Sequence, residues 1–501
     1  MTSKQPYLNR PEPSRRTAMK VATVGTTLFL IPGCEGEKKS LETTETDPAR
    51  DAEHPELLIT GSKVVTPDGV LDCDVRVSDE RIVEIGKTLK ASTDAARVIE
   101  AKGCYLLPGG IDPHVHLSRP WCDDFGSGSR AAVAGGITTL GHMSQARPGQ
   151  TLLKKIVEDK KLIEKMAVCD VFLHSIITDP RGLKRDAFKQ LLEVGQPSIK
   201  LFMLTEVFAN SMTQISDVLK LARKHGIVCL IHAEDFEILK KSRQRLKDEN
   251  KDGLENYAAS RPVEAEIEAV KQAIKLAAET GATICLVHIS SPVSIALATE
   301  AREDGVSVFV ETRPMYLHLT DKIYQREDAG LFIGMPPVRT ARDRDAIWKA
   351  LKDGEVETIA SDHAPWSRQQ KMDSGWNIHN PRGGVNNLQV MLPMLMNEVN
   401  KGKISLQQFV DLTSKNAAKR FGIYPNKGVI AKGAYADLVV WDLEAEKTID
   451  NEGFSNAGYS IYAGTEIKGW PKMTICRGQI VFENGKVVRQ SGGRLVQRKT
   501  G

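Results

Sequence analysis

The sequence predicts an α/β protein whose main body is a (β/α)8 barrel accompanied by a second, smaller domain, and three observations lead there. Short apolar runs recur, among them Gly226-Ile227-Val228-Cys229-Leu230-Ile231-His232 and Ala282-Thr283-Ile284-Cys285-Leu286-Val287-His288, each ending in a polar residue. Runs of this kind fit strands buried on both faces of a parallel sheet. Helix-like segments separate them, which places the polar residues at the C-terminal ends of successive strands, the catalytic face of such a barrel. The chain has 501 residues, more than the roughly 250 of one barrel.

Taken in order, the elements begin with a leader. Ser14-Arg15-Arg16-Thr17-Ala18-Met19-Lys20 precedes an apolar run from Val21 to Ile31 and then Pro32-Gly33-Cys34. The pattern over 1–34 resembles a twin-arginine export signal ending at a lipoprotein cleavage site, with Cys34 as the lipidated residue. Export to a periplasmic or cell-envelope location, with a lipid anchor as the link to membrane, is the expectation. Residues 35–56 are charged and Thr-rich without apolar period, a flexible linker. From 57 to 107 apolar and polar residues alternate around a Pro67-Asp68-Gly69 turn. The barrel is expected over 108–425. Strand-like alternation returns over 426–490, with Glu483-Asn484-Gly485-Lys486 as a hairpin, and 491–501 reads as a disordered basic tail.

The chemistry lies in the strand ends. In a strand, alternate side chains share a face, so His114 and His116 can present two imidazoles to one ion while Val115 faces away. His232, His288 and Asp362, the last in Val356-Glu357-Thr358-Ile359-Ala360-Ser361-Asp362, close three further apolar runs. Together they read as one metal site. His54, His174, His225 and His318 lack such placement and read as structural or surface residues.

The formal charge is +4. The basic residues of the leader account for that excess, so the remainder is near neutral and nucleic-acid binding is excluded as a function class. Eight Cys show no Cys-x-x-Cys pair, and with Cys34 lipidated an odd number remains, which argues against a disulfide framework.

Several strings resemble the cyclic amidohydrolases, the hydantoinases, dihydropyrimidinases, allantoinases and dihydroorotases: Leu107 to His116, Asp123 to Gly128, Ala131 to Thr139, Arg261 to Glu266, Pro336 to Arg339, Ser361 to Pro365, and Lys427 to Asp442. His114 to Trp121 favours the hydantoinase and dihydropyrimidinase side, since a dihydroorotase typically has Arg where Ser118 stands. The resemblance implies that 57–107 and 426–490 meet in one β-sandwich beside the barrel. It implies a ligand that spacing does not reveal, Lys200 in Ser198-Ile199-Lys200-Leu201-Phe202-Met203, carboxylated from CO2 and shared by two divalent ions. His114, His116, Lys200 and Asp362 would surround one ion, and Lys200, His232 and His288 the other. Such donors suit Zn first, with Mn, Co or Fe as alternatives. It further implies ring opening by a hydroxide held between the ions, Asp362 accepting the water proton and passing it to the departing nitrogen. Trp441, Tyr459 to Gly464 and Lys468-Gly469-Trp470 resemble segments of tetrameric members, so a homo-oligomer, tetramer or dimer, is expected.

Departures bear on the substrate. Thr205 stands where hydantoinase-like enzymes carry an oxyanion-stabilising Tyr, and Met335 replaces a Ser that binds substrate through its backbone; both are candidate substrate contacts. Gln389 and His142 replace a Glu and an Asp. The expected substrate is a small cyclic amide, imide or ureide. Two other readings are an acyclic N-acyl or dipeptide amide hydrolase and a non-catalytic scaffold of the same fold; scaffolds of this fold generally lack several ligands, whereas all six are present here.

Overall fold

A computed structural model describes residues 56–373 and 375–500. The signal and Cys34, the linker up to residue 55, and His54 lie outside the described residues.

Eight parallel strands form the barrel: β1 (Gly110–Val115), β2 (Ile137–Ser144), β3 (Asp170–Ile176), β4 (Ser198–Phe202), β5 (Val228–His232), β6 (Ile284–Leu286), β7 (Val308–Thr312) and β8 (Thr358–Ile359). Each pairs with the next in sequence order, and the ring closes where Val115 bridges His363 and the His116 amide donates to the His363 carbonyl at 2.8 Å. Helices such as Leu152–Met166, Met212–His225, Val263–Thr280 and Ala341–Lys352 return the chain between strands.

Alternation along each strand divides the residues into two sets. In β5, Cys229 and Ile231 pack outward with the helices, while Val228 and Leu230 join Ile111, Phe172, Cys285 and Val287 in the bore. In β4, Ile199 and Leu201 pack outward, so Lys200, one place out of step, shares the inward parity with Leu230, its register partner. Fully burying a Leu or Ile contributes about 1.5–3 kcal/mol, whereas each desolvated charge costs several. The apolar majority offsets a few inward polar residues, and these gather at the strand ends.

Both chain ends build the second domain. A four-stranded sheet comes from residues 57–100, and in a seven-stranded sheet Leu438–Thr448 pairs antiparallel with Tyr105–Pro108. Leu57, Ile59, Val75, Leu106, Val440 and Ile475 fill the space between. The Glu483–Lys486 hairpin turns through Asn484 and Gly485, both at positive φ (51° and 78°), as its sequence predicts. Trp441, Tyr459 and Tyr462 are buried within the chain and offer no exposed contact surface.

The tail is a correction. Instead of being disordered, 493–499 runs along the N-terminal end of the barrel: the Val171 amide donates to the Arg494 carbonyl (2.9 Å), the Val496 amide to the Val171 carbonyl (2.8 Å), and the Arg498 amide to the Gly195 carbonyl (3.0 Å). The buried Arg498 guanidinium donates to the Leu173 carbonyl (2.7 Å) and Ser198 Oγ (2.8 Å) over the Phe172 ring. Main-chain pairing and one buried cation hold it, neither of which a polar composition reveals.

Candidate metal centre

Asp362 meets the His114 and His116 pair. Its Oδ1 lies 3.3 Å from His114 Nε2 and 3.2 Å from His116 Nε2, and the ligand atoms of these three buried residues all lie within 4.8 Å of one another. The His288 ring is 5.4 Å from that of His114 and 4.4 Å from that of His232. Lys200 is fully buried, and its Nζ has no hydrogen-bond partner. An orphaned buried amine beside convergent imidazoles and a carboxylate fits a cation site. The six residues singled out from the sequence thus come together at one end of the barrel.

Backbone geometry shows the cost of placing them. His288 (φ 44°) and Asp362 (φ 45°) both sit in the left-handed region, where a non-glycine residue costs about 1–3 kcal/mol and persists only when its surroundings impose it. Asp112 helps to impose it: its Oδ1 accepts from the His114 amide (3.1 Å) and the Ser361 amide (3.1 Å), tying β1 to the Ser361–Asp362 turn.

A further ring of residues sets ring orientation and charge. Glu311 Oε1 lies 2.7 Å from His114 Nδ1, leaving Nε2 to face Asp362. Glu234 Oε2 lies 2.7 Å from His232 Nε2, leaving Nδ1 for the centre. Such partners fix tautomer and orientation in metal-binding histidines. Glu234 is in turn held by the Arg261 guanidinium through both carboxylate oxygens, with Nε to Oε1 at 3.0 Å. His363 Nε2 lies 2.8 Å from Asp123 Oδ2, and Asp123 also accepts from Ser455 Oγ and the Asn456 amide. That pair anchors the loop after Asp362. The Trp121 ring lies 4.5 Å from the His116 ring, tilted by 46°, and His142 Nδ1 accepts from the Leu117 amide.

Burial dominates the protonation states. It pulls His114 and His288 well below the usual imidazole range and lowers His232, which favours the neutral ring, the form that binds metal. Burial likewise lowers the Lys200 amine to about 8, against the pull of Glu311 and Asp362; the neutral amine it favours is the form that can add CO2. Asp362 goes the other way. Burial would raise its carboxyl, but Arg313, His114 and His116 hold it well below the carboxylate range.

The two candidate substrate contacts differ. Thr205 caps the short helix Glu206–Ala209, its Oγ1 accepting from the Phe208 amide at 3.4 Å; this uses an acceptor position of the hydroxyl and leaves its O–H donor out of the cap. Met335 lies half-buried beside Gly383, next to Gly334, whose carbonyl accepts from Tyr257 Oη at 2.9 Å. Glu311 and Arg313 were not singled out from the sequence, although Val308-Phe309-Val310 before them is another apolar run ending in polar residues. His174 (to Ser198 Oγ and the Pro113 carbonyl) and the half-buried His318 beside Trp348 are structural, as their placement suggested.

Comparison with known proteins agrees with this geometry. The model of the amidohydrolase family matches residues 105–481. A D-hydantoinase of Ralstonia pickettii is 34% identical over 462 residues, covering 89% of this chain and 99% of that protein. An allantoinase of Deinococcus radiodurans is 32% identical with the same coverage. Among solved structures, dihydropyrimidinase from Brevibacillus agri superposes with a TM-score of 0.83 at 33% identity, covering 89% of this chain and 99% of that one. The chain belongs to the amidohydrolase family.

Proposed function

We infer that this protein is a binuclear metal-dependent hydrolase that opens a cyclic amide, imide or ureide of the hydantoin or dihydropyrimidine type. The observation that carries the reading is the convergence of His114, His116 and Asp362 on one point beside the buried, partnerless Lys200 amine, in a chain similar along its whole barrel to proteins named hydantoinase, dihydropyrimidinase and allantoinase. The carboxylated Lys200 would be shared between a cation held by His114, His116 and Asp362 and another held by His232 and His288. Divalent ions there, Zn first by donor type, supply Lewis acidity and make water a stronger acid.

The chain's own residues do the rest. Glu311 and Glu234 hold the imidazoles in place, so no reorganisation is needed during reaction. Asp362 accepts a proton from the attacking water and returns it to the departing ring nitrogen, a role worth about 10²–10⁴ in rate. We also propose export by the leader with a lipid anchor at Cys34, and assembly into a homo-oligomer.

The test combines metal analysis with a panel of hydantoins, dihydropyrimidines, allantoin and acyclic N-acyl amino acids. About two metal ions per chain and ring opening that Asp362→Asn abolishes are expected. Turnover confined to the acyclic amides would move the substrate to that class, and metal-free protein inactive on every compound would leave a scaffold.

A further inference from the structure

Lys371 closes the short helix Arg368–Lys371 in the loop after Asp362, and its side chain is fully buried. Burial and the charge of Arg313 both pull its pKa down, and among the described residues no acidic group opposes them. Three main-chain carbonyls hold the amine instead: Ile333 at 2.9 Å, Arg382 at 2.7 Å and Gly384 at 2.8 Å. An ammonium has three N–H groups and no acceptor, so donors and acceptors match in number. A neutral amine would turn its lone pair toward one of the carbonyls. Keeping a desolvated charge is costly, and an apolar side chain of the same length would fill the same space, so it is the three acceptors that account for a lysine here.

Those acceptors belong to two segments that meet beside the centre. On one, the chain passes from Ile333 through Gly334, where an added Cβ would lie 3.1 Å from Arg313 Nη1, to Met335; Arg313 Nη1 in turn stands 3.0 Å from Asp362 Oδ2. On the other, an added Cβ at Gly383 would lie 2.6 Å from Met335 Cε, and Val385 pairs with the turn after Asp362, its carbonyl accepting from the Ala364 amide at 3.3 Å. The Ile333 carbonyl also accepts from the Gly384 amide at 2.9 Å. We propose that Lys371 is a positioning residue, a tethered cation that holds 333–335 and 382–384 together as one wall around Met335, next to Asp362. The proposal rests on the ring-opening reading, in which Met335 is a substrate contact.

The loop has a second, independent anchor. The Arg382 guanidinium lies 4.3 Å from the Trp366 ring and 3.8 Å from that of Trp376, and the Trp366 indole donates to the Gly383 carbonyl at 2.8 Å. Loss of the ammonium therefore loosens the wall without releasing the loop.

Full-length, zinc-loaded protein is assayed on hydantoin and dihydrouracil below the thermal transition of each variant. Lys371→Met keeps length and packing but not the charge, and its kcat/KM is expected to fall about 10²-fold, the cost of a small misplacement. KM should carry more of the loss than kcat, because the acceptors flank Met335 while Asp362 keeps its own ties to Arg313 and His114. Lys371→Ala should fall as far. It leaves room for n-propylammonium, the part of the side chain removed. That cation should restore turnover and raise the melting temperature of Lys371→Ala alone, where tetramethylammonium at equal ionic strength does neither. Wild-type kinetics in Lys371→Met, or a Lys371→Ala protein that responds alike to both cations or to neither, would overturn the assignment while leaving ring opening intact. A wild type that opens no ring, with propylammonium still raising the Lys371→Ala melting temperature, would remove the ring-opening reading and keep the cation niche.

Discussion

At the residue scale, the centre is built from side chains held where they would not otherwise rest. Asp362 occupies a left-handed conformation at the meeting point of two imidazoles and a guanidinium. Asn tolerates that backbone as readily as Asp, so Asp362→Asn keeps the turn while removing the carboxylate. Its expected effect is a fall in kcat of about 10²–10⁴ together with a lower thermal transition, because the buried Arg313 guanidinium loses its counter-charge, checked by steady-state kinetics beside calorimetry. Glu234 offers a pH prediction. Burial would raise its carboxyl, but Arg261 and His232 bring it down to about 2. A group depressed on folding stabilises the native state fully above its unfolded value of about 4.3, and that contribution fades as pH falls toward about 2. Arg261→Met, which strands the buried carboxylate, should cost about 3–5 kcal/mol near neutrality and less below pH 4. Denaturant titrations at pH 7 and pH 3.5 test the sign, which an equal loss at both would contradict.

At the element scale, what could be read in the sequence followed from periodicity. Strands buried on both faces leave apolar runs, and a polar residue closing such a run is conspicuous; this is why His232, His288 and Asp362 could be found. The same signal ends Val308–Val310, yet Glu311 and Arg313 carry residue types common on any surface and gave no metal-ligand spacing to notice. Lys200 became visible only through resemblance, because a lysine inside a strand has no distinctive pattern. Thr205 was singled out by position, and its oxygen also accepts at a helix start. The tail escaped because backbone pairing leaves no compositional trace. Its docking makes a prediction: Arg498→Ala removes the bonds to Leu173 and Ser198, and the melting temperature should drop while kcat stays near wild type, since neither residue is a ligand of the centre. Gly384 is the opposite case. It sits at φ 114° with the Ala364 carbonyl 2.1 Å from where a Cβ would be, so Gly384→Ala must displace the loop after Asp362, and activity should fall more steeply than stability.

At the scale of the whole molecule, a β-sandwich from both chain ends and a barrel share one chain, and the barrel keeps its two rims for different work. The tail lies along the N-terminal rim beside β3 and β4, while the C-terminal rim gathers imidazoles, a depressed lysine and a carboxylate. Cations bound there would stabilise the native state by mass action, so chelation should lower the melting temperature as well as abolish turnover, with both restored by zinc. The most direct test of the account is ring opening of hydantoin and dihydrouracil by one preparation before chelation, after it, and after zinc is returned. Turnover that disappears and comes back in step with about two metal ions per chain is the predicted result; ring opening that persists in metal-free protein, or none in the fully loaded protein, would contradict it.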